Sequence, residues 1–213
     1  MKVEKLSSGI WVPSTDAQIE QWRKDGRPHM QDKCLDRFLQ WCEIQKKQFN
    51  LIVDIGAWCG TWAIAMQKYA KNMHCYEPNK LHFDCLSRNL APYDHVKLYN
   101  QAIGSEDGFV KLSQETATQN TRVLYEAGDT MISKLDSLDT KGIDMIKIDV
   151  EGLEMEVLKG ASEKLQNVQY LMIELNNNSK RYGSSNELIK NYLKSLGFKV
   201  LIKLWPDIVY YKV

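Results

Sequence analysis

Apolar and polar positions follow two repeating patterns along most of this chain. Short apolar runs bounded by turn residues, which are typical of buried parallel strands, occur at residues 51–55, 73–76, 96–102, 144–150 and 170–175. Between and after them, apolar residues recur at the spacing of amphipathic helices, at residues 61–71, 80–90, 153–165 and 186–196. This alternation predicts an α/β fold in which a doubly wound, mostly parallel sheet carries helices on both faces.

Three segments depart from the alternation. Residues 1–31 show no regular pattern and are predicted as an N-terminal arm, followed by an amphipathic helix that Asp32 caps. Residues 105–140 place short apolar runs between glycines and small polar residues, which predicts antiparallel hairpins. Residues 198–204 and 208–211 predict two strands joined by a turn, so the sheet should end in an antiparallel C-terminal hairpin.

The composition suits one globular domain. The chain has 213 residues, of which 44% are hydrophobic and 26% charged, enough for one full core but cramped for two independent domains. We expect residues 1–50 to form an arm and a helix that cover the active site, and residues 51–213 to form the main domain. The formal net charge of +1 argues against a protein-wide field that gathers nucleic acid, although a local basic patch stays open.

The cysteines and the N-terminus bear on the compartment. Five cysteines occur without a CxxC pair, so free thiols in a reducing compartment are expected rather than a zinc site or a disulfide framework. The first residues show no signal-peptide pattern, and no segment approaches the ~20 apolar residues that span a membrane. We therefore expect a soluble, cytoplasmic protein with no membrane span.

A glycine-containing loop, residues 54–60 (DIGAWCG), follows the first predicted strand. Glycines let the backbone approach a ligand closely, and the next helix begins with free N–H groups. The G-x-x-x-G spacing differs from the dinucleotide pattern G-x-G-x-x-G and from phosphate loops, which favours a ligand without phosphate. The alternative is a plain strand-to-helix turn.

Polar residues end the second and third predicted strands. Glu77, which lies 17 residues beyond Gly60 and directly before Pro78, can accept two hydrogen bonds from a ribose diol. After the third strand, side chains of residues 100–104 (NQAIG) are expected to border an adenine. A solvated strand end and an ordinary turn are the alternatives at these two places.

Charged residues end the predicted central strand. Lys147, Asp149 and Glu151 alternate with apolar residues, so strand alternation starts them on one side of the sheet. Buried charges cost desolvation unless they are paired or used in chemistry, and a Lys–Asp ion pair that holds the strand end explains them as well as catalysis does. Glu174 and Asn176, after the fifth strand, should face the same crevice or else begin a loop.

Six pieces of sequence occur in a fixed order: VDIGAWCG, CYEPN, NQAIG, ISKLDSL, IDMIKIDVEGLEMEVLKGA and MIEL. In this order they resemble the FkbM family of methyltransferases, from about Leu51 to Leu175 and thus over more than half of the chain. The resemblance implies a class I Rossmann-like fold and S-adenosylmethionine as the methyl donor. It also implies transfer to oxygen, commonly a hydroxyl on a sugar or a natural product.

The resemblance further implies roles for the residues at the strand ends. The predicted contacts of the cofactor are Asp54, Gly56, Ala57, Trp58, Gly60, Glu77, Pro78, Gln101, Ala102 and Asp149. The loop residues would lie against the methionine and ribose part, Glu77 would hold the ribose hydroxyls, and Gln101 and Ala102 would flank the adenine. Asp149 and Glu151 would lie near the reacting methyl group.

Trp58 departs from the family, which usually has a small polar residue, often Asn, at this position. A tryptophan here narrows the cofactor mouth or stacks on a ligand. The first 50 residues match the family less firmly and are expected to carry substrate contacts, with core packing or a solvated surface as the alternative for each side chain. The candidates to cover the acceptor are Trp11, Trp22, Arg23, Arg27 and His29.

Methyl transfer from a sulfonium is an in-line displacement, so alignment supplies much of the acceleration. Asp149 is predicted as the general base or acceptor-orienting group, with Lys147 tuning its charge and Glu151 beside it. A divalent metal held by Asp149, Glu174 and Asn176 is an alternative that we do not favour, because short carboxylate clusters are often ion pairs. The expected partner is a small-molecule or glycan acceptor rather than a nucleic acid, and the oligomeric state stays open.

Three other functions stay open at this stage. The missing G-x-G-x-x-G argues against a nicotinamide or nucleotide-sugar enzyme. An RNA ribose or other nucleic-acid methyltransferase would use the same charged residues, and the near-neutral charge argues against it. A non-catalytic module that kept the cofactor fold would bind the cofactor without turnover.

Overall fold

A seven-stranded sheet lies at the centre of the computed structural model, which describes residues 2–28, 33–113 and 120–212. The described strands are β1 (Val3–Lys5), β2 (Trp11–Pro13), β3 (Phe49–Ile55), β4 (Ala70–Tyr76), β5 (Val96–Tyr99), β6 (Ala102–Ile103), β7 (Gly108–Leu112), β8 (Val123–Leu124), β9 (Thr130–Ser133), β10 (Met145–Ile148), β11 (Tyr170–Glu174), β12 (Lys199–Leu204) and β13 (Asp207–Tyr211). The described α-helices are α1 (Ile19–Asp25), α2 (Lys33–Ile44), α3 (Thr61–Met66), α4 (Lys80–Leu90), α5 (Glu154–Gly160) and α6 (Asn186–Ser195).

The main sheet confirms the predicted doubly wound arrangement. Its strands lie in the order β5-β4-β3-β10-β11-β13-β12, and neighbours are parallel except where β13 is involved. β13 runs antiparallel to both β11 and β12, so the C-terminal hairpin contributes one reversed strand. The strand order reverses between β3 and β10, and ligands of open α/β sheets bind outside the carboxyl ends of the strands at such a point.

Helices cover both faces of the sheet because its central strands are apolar on both. Every residue of β10 is buried, and in β3 only Asn50 is exposed. α5 and α6 form a core with Leu51, Val53 and Ile55 on one face, whereas α2, α3 and α4 form a second core with Ile52 on the other. Successive residues of a strand point to opposite faces, so one strand serves two cores.

The predicted strand 96–102 is divided between two sheets, which corrects the prediction. β5 ends at Tyr99, and β6 joins a smaller sheet with the order β6-β9-β7-β8. Between them the side-chain amide of Asn100 donates to the carbonyls of Glu77 and Pro78, at 2.8 and 3.0 Å, where the backbone leaves the main sheet. The antiparallel pairing predicted for 105–140 is present between β7 and its neighbours β8 and β9.

The N-terminal arm is more regular than predicted. β1 and β2 form an antiparallel pair and α1 follows them, with Val12 and Trp22 inside a small core of the arm itself. Asn89 of α4 fastens this arm, because its side chain accepts from the backbone N–H of Trp11 at 2.8 Å and donates to the carbonyl of Trp11 at 2.9 Å. Strands of three residues are too short to show an alternation in sequence. The predicted cap Asp32 lies outside the described residues.

Several element ends differ from the predicted ones. β3 begins at Phe49, so the predicted division at residue 50 falls inside a strand, and α2 belongs to the core of the sheet. β10 ends at Ile148, two residues before the predicted end. Predicted helix 153–165 is an α-helix only to Gly160. Within the described part of the chain, no helix is long and apolar enough to cross a membrane.

Candidate active site

A cavity of about 700 Å³ opens at the carboxyl ends of the main-sheet strands, beside the switch between β3 and β10. Its volume lies within the range of small-molecule sites, which is roughly 300–1,000 Å³. Of the predicted cofactor contacts, the lining includes Gly56, Ala57, Trp58, Glu77, Pro78, Gln101, Ala102 and Asp149. The predicted catalytic residues Lys147 and Glu151 line it as well, as do Glu174 and Asn176.

Both glycines of the loop have a left-handed backbone, and the structure gives each a packing reason. A side chain at Gly56, whose φ is 77°, would place its Cβ 1.8 Å from the carbonyl oxygen of Asp149. Gly56 therefore lets β3 and β10 approach each other at the site. At Gly60, with φ 85°, a Cβ would lie 2.7 Å from Leu86 Cδ1. Gly60 begins α3 and packs against α4, outside the cavity lining.

Glu77 is held in place by backbone donors although it lines the cavity. Its Oε2 accepts from the N–H of Trp58 and its Oε1 from the N–H of Asn79, both at 2.9 Å. The Nδ1 atom of His82 lies 3.4 Å from Oε1. A carboxylate offers about four acceptor positions, so positions remain for a ligand diol. The carboxylate is thus fixed before any ligand arrives.

The arm reaches the cavity through Trp22, which contacts Trp58 of the glycine loop. The two rings meet edge to face with centroids 5.6 Å apart, and Trp22 is only 2% exposed. Among the described residues neither indole nitrogen has a hydrogen-bond partner, although both nitrogens are buried. Trp58 has φ 49°, a left-handed conformation that Asn adopts more easily than a bulky side chain does.

The other predicted arm residues have different surroundings. Trp11 lies under the guanidinium of Arg88, 4.6 Å from its ring centroid, and Arg23 pairs with Glu4. Arg27 is exposed, and His29 lies outside the described residues. Of the four candidates within the described residues, only Trp22 is in the cavity lining. Its place beside the glycine loop puts the arm next to the predicted cofactor end of the cavity.

Lys147 connects three groups beneath the site. Its ammonium donates to the carbonyl of Gly56 at 2.8 Å and lies 3.3 Å from Asp54 Oδ1 and 3.4 Å from Asp149 Oδ2. Burial lowers the pKa of Lys147, but the two carboxylates raise it more strongly, and the net result is well above its usual range. Asp54 is fully buried and lies outside the lining, so what it contacts here is Lys147 rather than the cavity.

Asp149, Glu151 and Glu174 form a carboxylate cluster in which one oxygen of each lies within 4.8 Å of the others. Glu151 does not arrive by strand alternation, as the sequence predicted. β10 has already ended at Ile148, and Glu151 is brought in by a turn in which its φ is 54°. Asn178 then donates to Glu151 Oε2 at 2.8 Å, an interaction that the sequence did not predict.

Two of these carboxyls hold protons at neutral pH more readily than free ones do. Burial, and next the charge of Asp149, raises the pKa of Glu174 to about 10. Burial and the charge of Asp149 also raise the pKa of Glu151 to about 7, although hydrogen bonds from Asn178 and Asn176 lower it in part. The cluster therefore combines a carboxylate paired with Lys147 and two neighbours able to donate hydrogen bonds.

In the described part of the chain, the groups that could bind a metal are Asp149, Glu151 and Glu174, whereas the sequence suggested Asn176 in place of Glu151. Asn176 donates its amide to Glu174 Oε2 at 3.0 Å, while its oxygen accepts from the backbone N–H of Asn178 at 3.0 Å. It therefore serves the cluster as a donor. The three carboxylates meet the distance requirement for one cation, and proton sharing accounts for their proximity equally well. Metal use remains a hypothesis.

The C-terminal hairpin supplies cavity residues that the sequence did not point to. β13 runs antiparallel to β11 with Asp207 opposite Glu174, and the N–H of Leu175 donates to the carbonyl of Pro206 at 3.0 Å. This pairing brings the turn, with Trp205 and Asp207, to the edge of the sheet where Asp149 lies. Sequence predicted the turn itself, but not its position at the site.

Comparison with known proteins gives three kinds of similarity. The sequence profile described as the Methyltransferase FkbM domain matches residues 54–200. The Hexuronic acid methyltransferase AglP of Haloferax volcanii is 30% identical over 142 residues, which are 62% of this chain and 58% of that protein. The chain therefore spans less than two thirds of this relative's length.

Two solved structures show the same fold. The methyltransferase FkbM of Methylobacillus flagellatus KT superposes with a TM-score of 0.56 and 17% identity, covering 76% of this chain and 43% of that one. The magnesium protoporphyrin IX methyltransferase ChlM of Synechocystis PCC 6803, solved with bound S-adenosylmethionine, has a TM-score of 0.56 and 12% identity. That similarity covers 94% of this chain and 93% of the other, and it shows a class I methyltransferase fold.

Proposed function

The chain belongs to the FkbM methyltransferase family, and from that membership we propose that it transfers a methyl group from S-adenosylmethionine to a hydroxyl oxygen of a sugar. One observation carries the proposal. The cavity at the strand switch is lined by both the fixed carboxylate of Glu77 and the paired Lys147 and Asp149. The acceptor class is supported by the relative whose name specifies a hexuronic acid.

The residues present fit S-adenosylmethionine. Glu77 keeps acceptor positions for two ribose hydroxyls after taking its two backbone hydrogen bonds. Gln101 and Ala102 border the same end of the cavity and suit an adenine, while the loop from Gly56 to Trp58 suits the amino-acid part. The loop has no phosphate-binding lysine or serine, in agreement with a cofactor that carries no phosphate.

Asp149 is proposed to take the proton of the acceptor hydroxyl. When bound, the cofactor supplies a methyl group that its sulfonium has already activated. Asp149 would take the proton of the acceptor hydroxyl, whose oxygen would form a bond to the methyl carbon while the sulfur–methyl bond breaks and the sulfonium leaves as a neutral thioether. Lys147 forms an ion pair with Asp149, because its ammonium lies 3.4 Å from Oδ2. Asp54 acts through Lys147, which it holds from below at 3.3 Å.

Glu174 and Glu151 are proposed to position the acceptor. The pKa of Glu174, about 10, favours its protonated form at neutral pH, whereas that of Glu151, about 7, leaves both forms populated. When protonated, each can donate a hydrogen bond to a sugar oxygen as well as accept one. Asn176 and Asn178 fix these carboxyls by the bonds that they donate. Such fixed groups align the hydroxyl with the methyl group, which is where most of the rate acceleration originates.

A methyl-release assay tests the proposal. The full chain is incubated with S-adenosylmethionine and a panel of uronic acids, neutral sugars and small hydroxylated metabolites, and the demethylated cofactor is quantified. We expect turnover with at least one sugar, and mass spectrometry should place the new methyl group on oxygen. Cofactor binding without transfer to any member of the panel would contradict the enzymatic part. Transfer to a nitrogen or carbon atom would contradict the assignment to oxygen.

A further inference from the structure

The cavity has two halves, and the proposed cofactor contacts occupy only one of them. The carboxyl ends of β3, β4 and β5 carry the glycine loop, Glu77 and Gln101. The ends of β10 and β11, together with the turn between β12 and β13, form the other half. Because Asp149 stands between the halves, an acceptor that reaches it must lie over β11 and the hairpin turn.

Trp205 is the large aromatic side chain of this second half. It lies in the turn between β12 and β13, is 55% exposed, and lines the cavity. The ammonium of Lys190 in α6 lies 5.9 Å from the centroid of its ring. The hydrogen bond from Leu175 to Pro206 and the pairing of Glu174 with Asp207 hold the turn against the end of β11. A half-exposed indole therefore lies in the cavity lining, next to Asp207, which pairs with Glu174 of the carboxylate cluster.

The groups around Trp205 are polar and directional. Glu174, Asn176 and Asn178 offer carboxyl and amide groups that can both donate and accept at this end of the cavity. These groups already bond one another, and a purely apolar acceptor would leave their remaining donor and acceptor positions unused, which is unfavourable in a partly buried site. A ring that is apolar on its face and carries hydroxyls at its edge satisfies both kinds of surface.

We propose that Trp205 is the platform on which the pyranose ring of the acceptor stacks, and that it determines the specificity of this site for sugars. The inference rests on the proposed function, since it takes the second half of the cavity as the acceptor site. The apolar C–H face of the ring lies on the indole, and the ring hydroxyls meet Glu174 and Asn176. One hydroxyl then points toward Asp149.

The experiment measures sugar binding separately from methyl transfer. The full chain is loaded with S-adenosylhomocysteine, and binding of methyl glucopyranoside and methyl glucuronopyranoside is followed by saturation-transfer NMR titration. The variants are Trp205→Ala, Trp205→Tyr and Phe109→Ala. Phe109 is the matched control, because it is an exposed aromatic residue, 65% exposed, and is not part of the cavity lining. Catechol, a flat aromatic ring with two hydroxyls at its edge, tests whether the site prefers an aromatic diol to a pyranose.

We expect at least one glycoside to bind the parent protein, and Trp205→Ala to weaken that binding about tenfold, the scale of one aromatic contact. Trp205→Tyr should keep most of the affinity, and Phe109→Ala all of it. All variants should bind S-adenosylhomocysteine as the parent does. With a sugar that is turned over, Trp205→Ala should raise KM and leave kcat nearly unchanged.

Two results would overturn the inference. One is that neither glycoside binds the loaded parent protein, or that catechol binds in preference to both. The other is that Trp205→Ala binds the glycoside as tightly as the parent. Failure of the proposed function looks different, since it shows as no binding of S-adenosylhomocysteine, or as sugar binding at Trp205 without methyl transfer.

Discussion

Lys147 and Asp149 form an ion pair at the end of the central strand, with the ammonium 3.4 Å from the carboxylate. Lys147 is 7% exposed and faces a second carboxylate, that of Asp54, from below. Lys147 therefore neutralises a buried carboxylate of the core and also pairs with Asp149, the proposed general base. Glu174, next to Asp149, has a pKa raised by burial to about 10, so charge and proton are distributed unevenly over neighbouring groups.

The role of Asp149 is tested by Asp149→Asn. We expect cofactor affinity to be kept and kcat to fall ~100-fold or more, the usual scale for a positioned acid–base group. Isothermal titration with S-adenosylhomocysteine and a methyl-release assay measure the two quantities. A parent activity that is insensitive to chelator would favour the general base over a metal. Normal turnover in the folded variant would remove Asp149 from the mechanism.

Glu77 is expected to control cofactor affinity. Glu77→Ala removes a charged hydrogen-bond partner, and we expect about 1.5–3 kcal/mol weaker binding of S-adenosylhomocysteine, or roughly 10-fold to 150-fold. It also leaves the N–H groups of Trp58 and Asn79 without their acceptor, so some loss of stability accompanies it. Glu77→Gln separates the effects because it keeps one acceptor oxygen. Glu156→Gln is the control, since Glu156 bonds Ser105 and Lys159 outside the cavity. Unchanged binding in both Glu77 variants would contradict the placement of the ribose.

The buried ion pair predicts a compensating double variant. Lys147→Met leaves Asp54 buried without its cation, and we expect the free energy of unfolding to fall by about 3–5 kcal/mol. Adding Asp54→Leu removes the stranded carboxylate, and a large part of the loss should return. Urea denaturation of the parent, both single variants and the double variant measures this. A Lys147→Met protein as stable as the parent would show that Asp54 does not depend on this cation.

The raised pKa of Glu174 predicts how stability depends on pH. Its pKa is about 10 in the folded protein against 4.5 for a free carboxyl, with burial as the first cause, followed by the charges of Asp149, Glu151 and Asp207. A pKa raised by folding contributes stability that is complete below the unfolded value and is lost as pH rises through the folded one. Stability should therefore decline as the pH rises from 4.5 to about 10.

Glu174→Gln tests that decline, because glutamine resembles the protonated acid at every pH. We expect the free energy of unfolding to fall less between about pH 5 and pH 10 in the variant than in the parent. At the alkaline end the variant should be the more stable protein. Glu106→Gln, an exposed carboxyl outside the cavity, serves as control. Identical pH profiles for Glu174→Gln and the parent would contradict the raised pKa.

Asn89 is expected to couple the arm to the cavity. Its side chain holds both backbone groups of Trp11 and also donates to the carbonyl of Cys59 at 2.7 Å, next to Trp58. Asn89→Ala should expose the arm to limited proteolysis and weaken cofactor binding, because Trp22 of the arm lines the cavity. Asn191→Ala, on the far helix α6, is a control for loss of an asparagine. Unaltered proteolysis and unaltered affinity would show that the arm stays docked without this residue.

The sequence by itself determined the elements of the main sheet and the place of the site. Short buried strands, their terminal glycines and the helices between them are local properties, so Glu77 and Asp149 could be placed at strand ends before any coordinates were known. Most predicted cofactor contacts do line the cavity. Asp54 and Gly60 do not, because sequence spacing cannot tell a residue that faces a ligand from one that faces a neighbouring element.

Only the tertiary structure decided which distant groups meet at that edge. Trp22 arrives from the arm and Trp205 from the last hairpin, and both positions depend on how separate elements pack rather than on any local pattern. The tertiary structure also decides which carboxyl of the cluster holds a proton. The pKa of Glu174 is raised by burial and by the charge of Asp149, which is 25 residues away in the chain. Local residue patterns fix which backbone shapes are favourable, whereas desolvation and charge pairing depend on distances that exist only after the chain has folded.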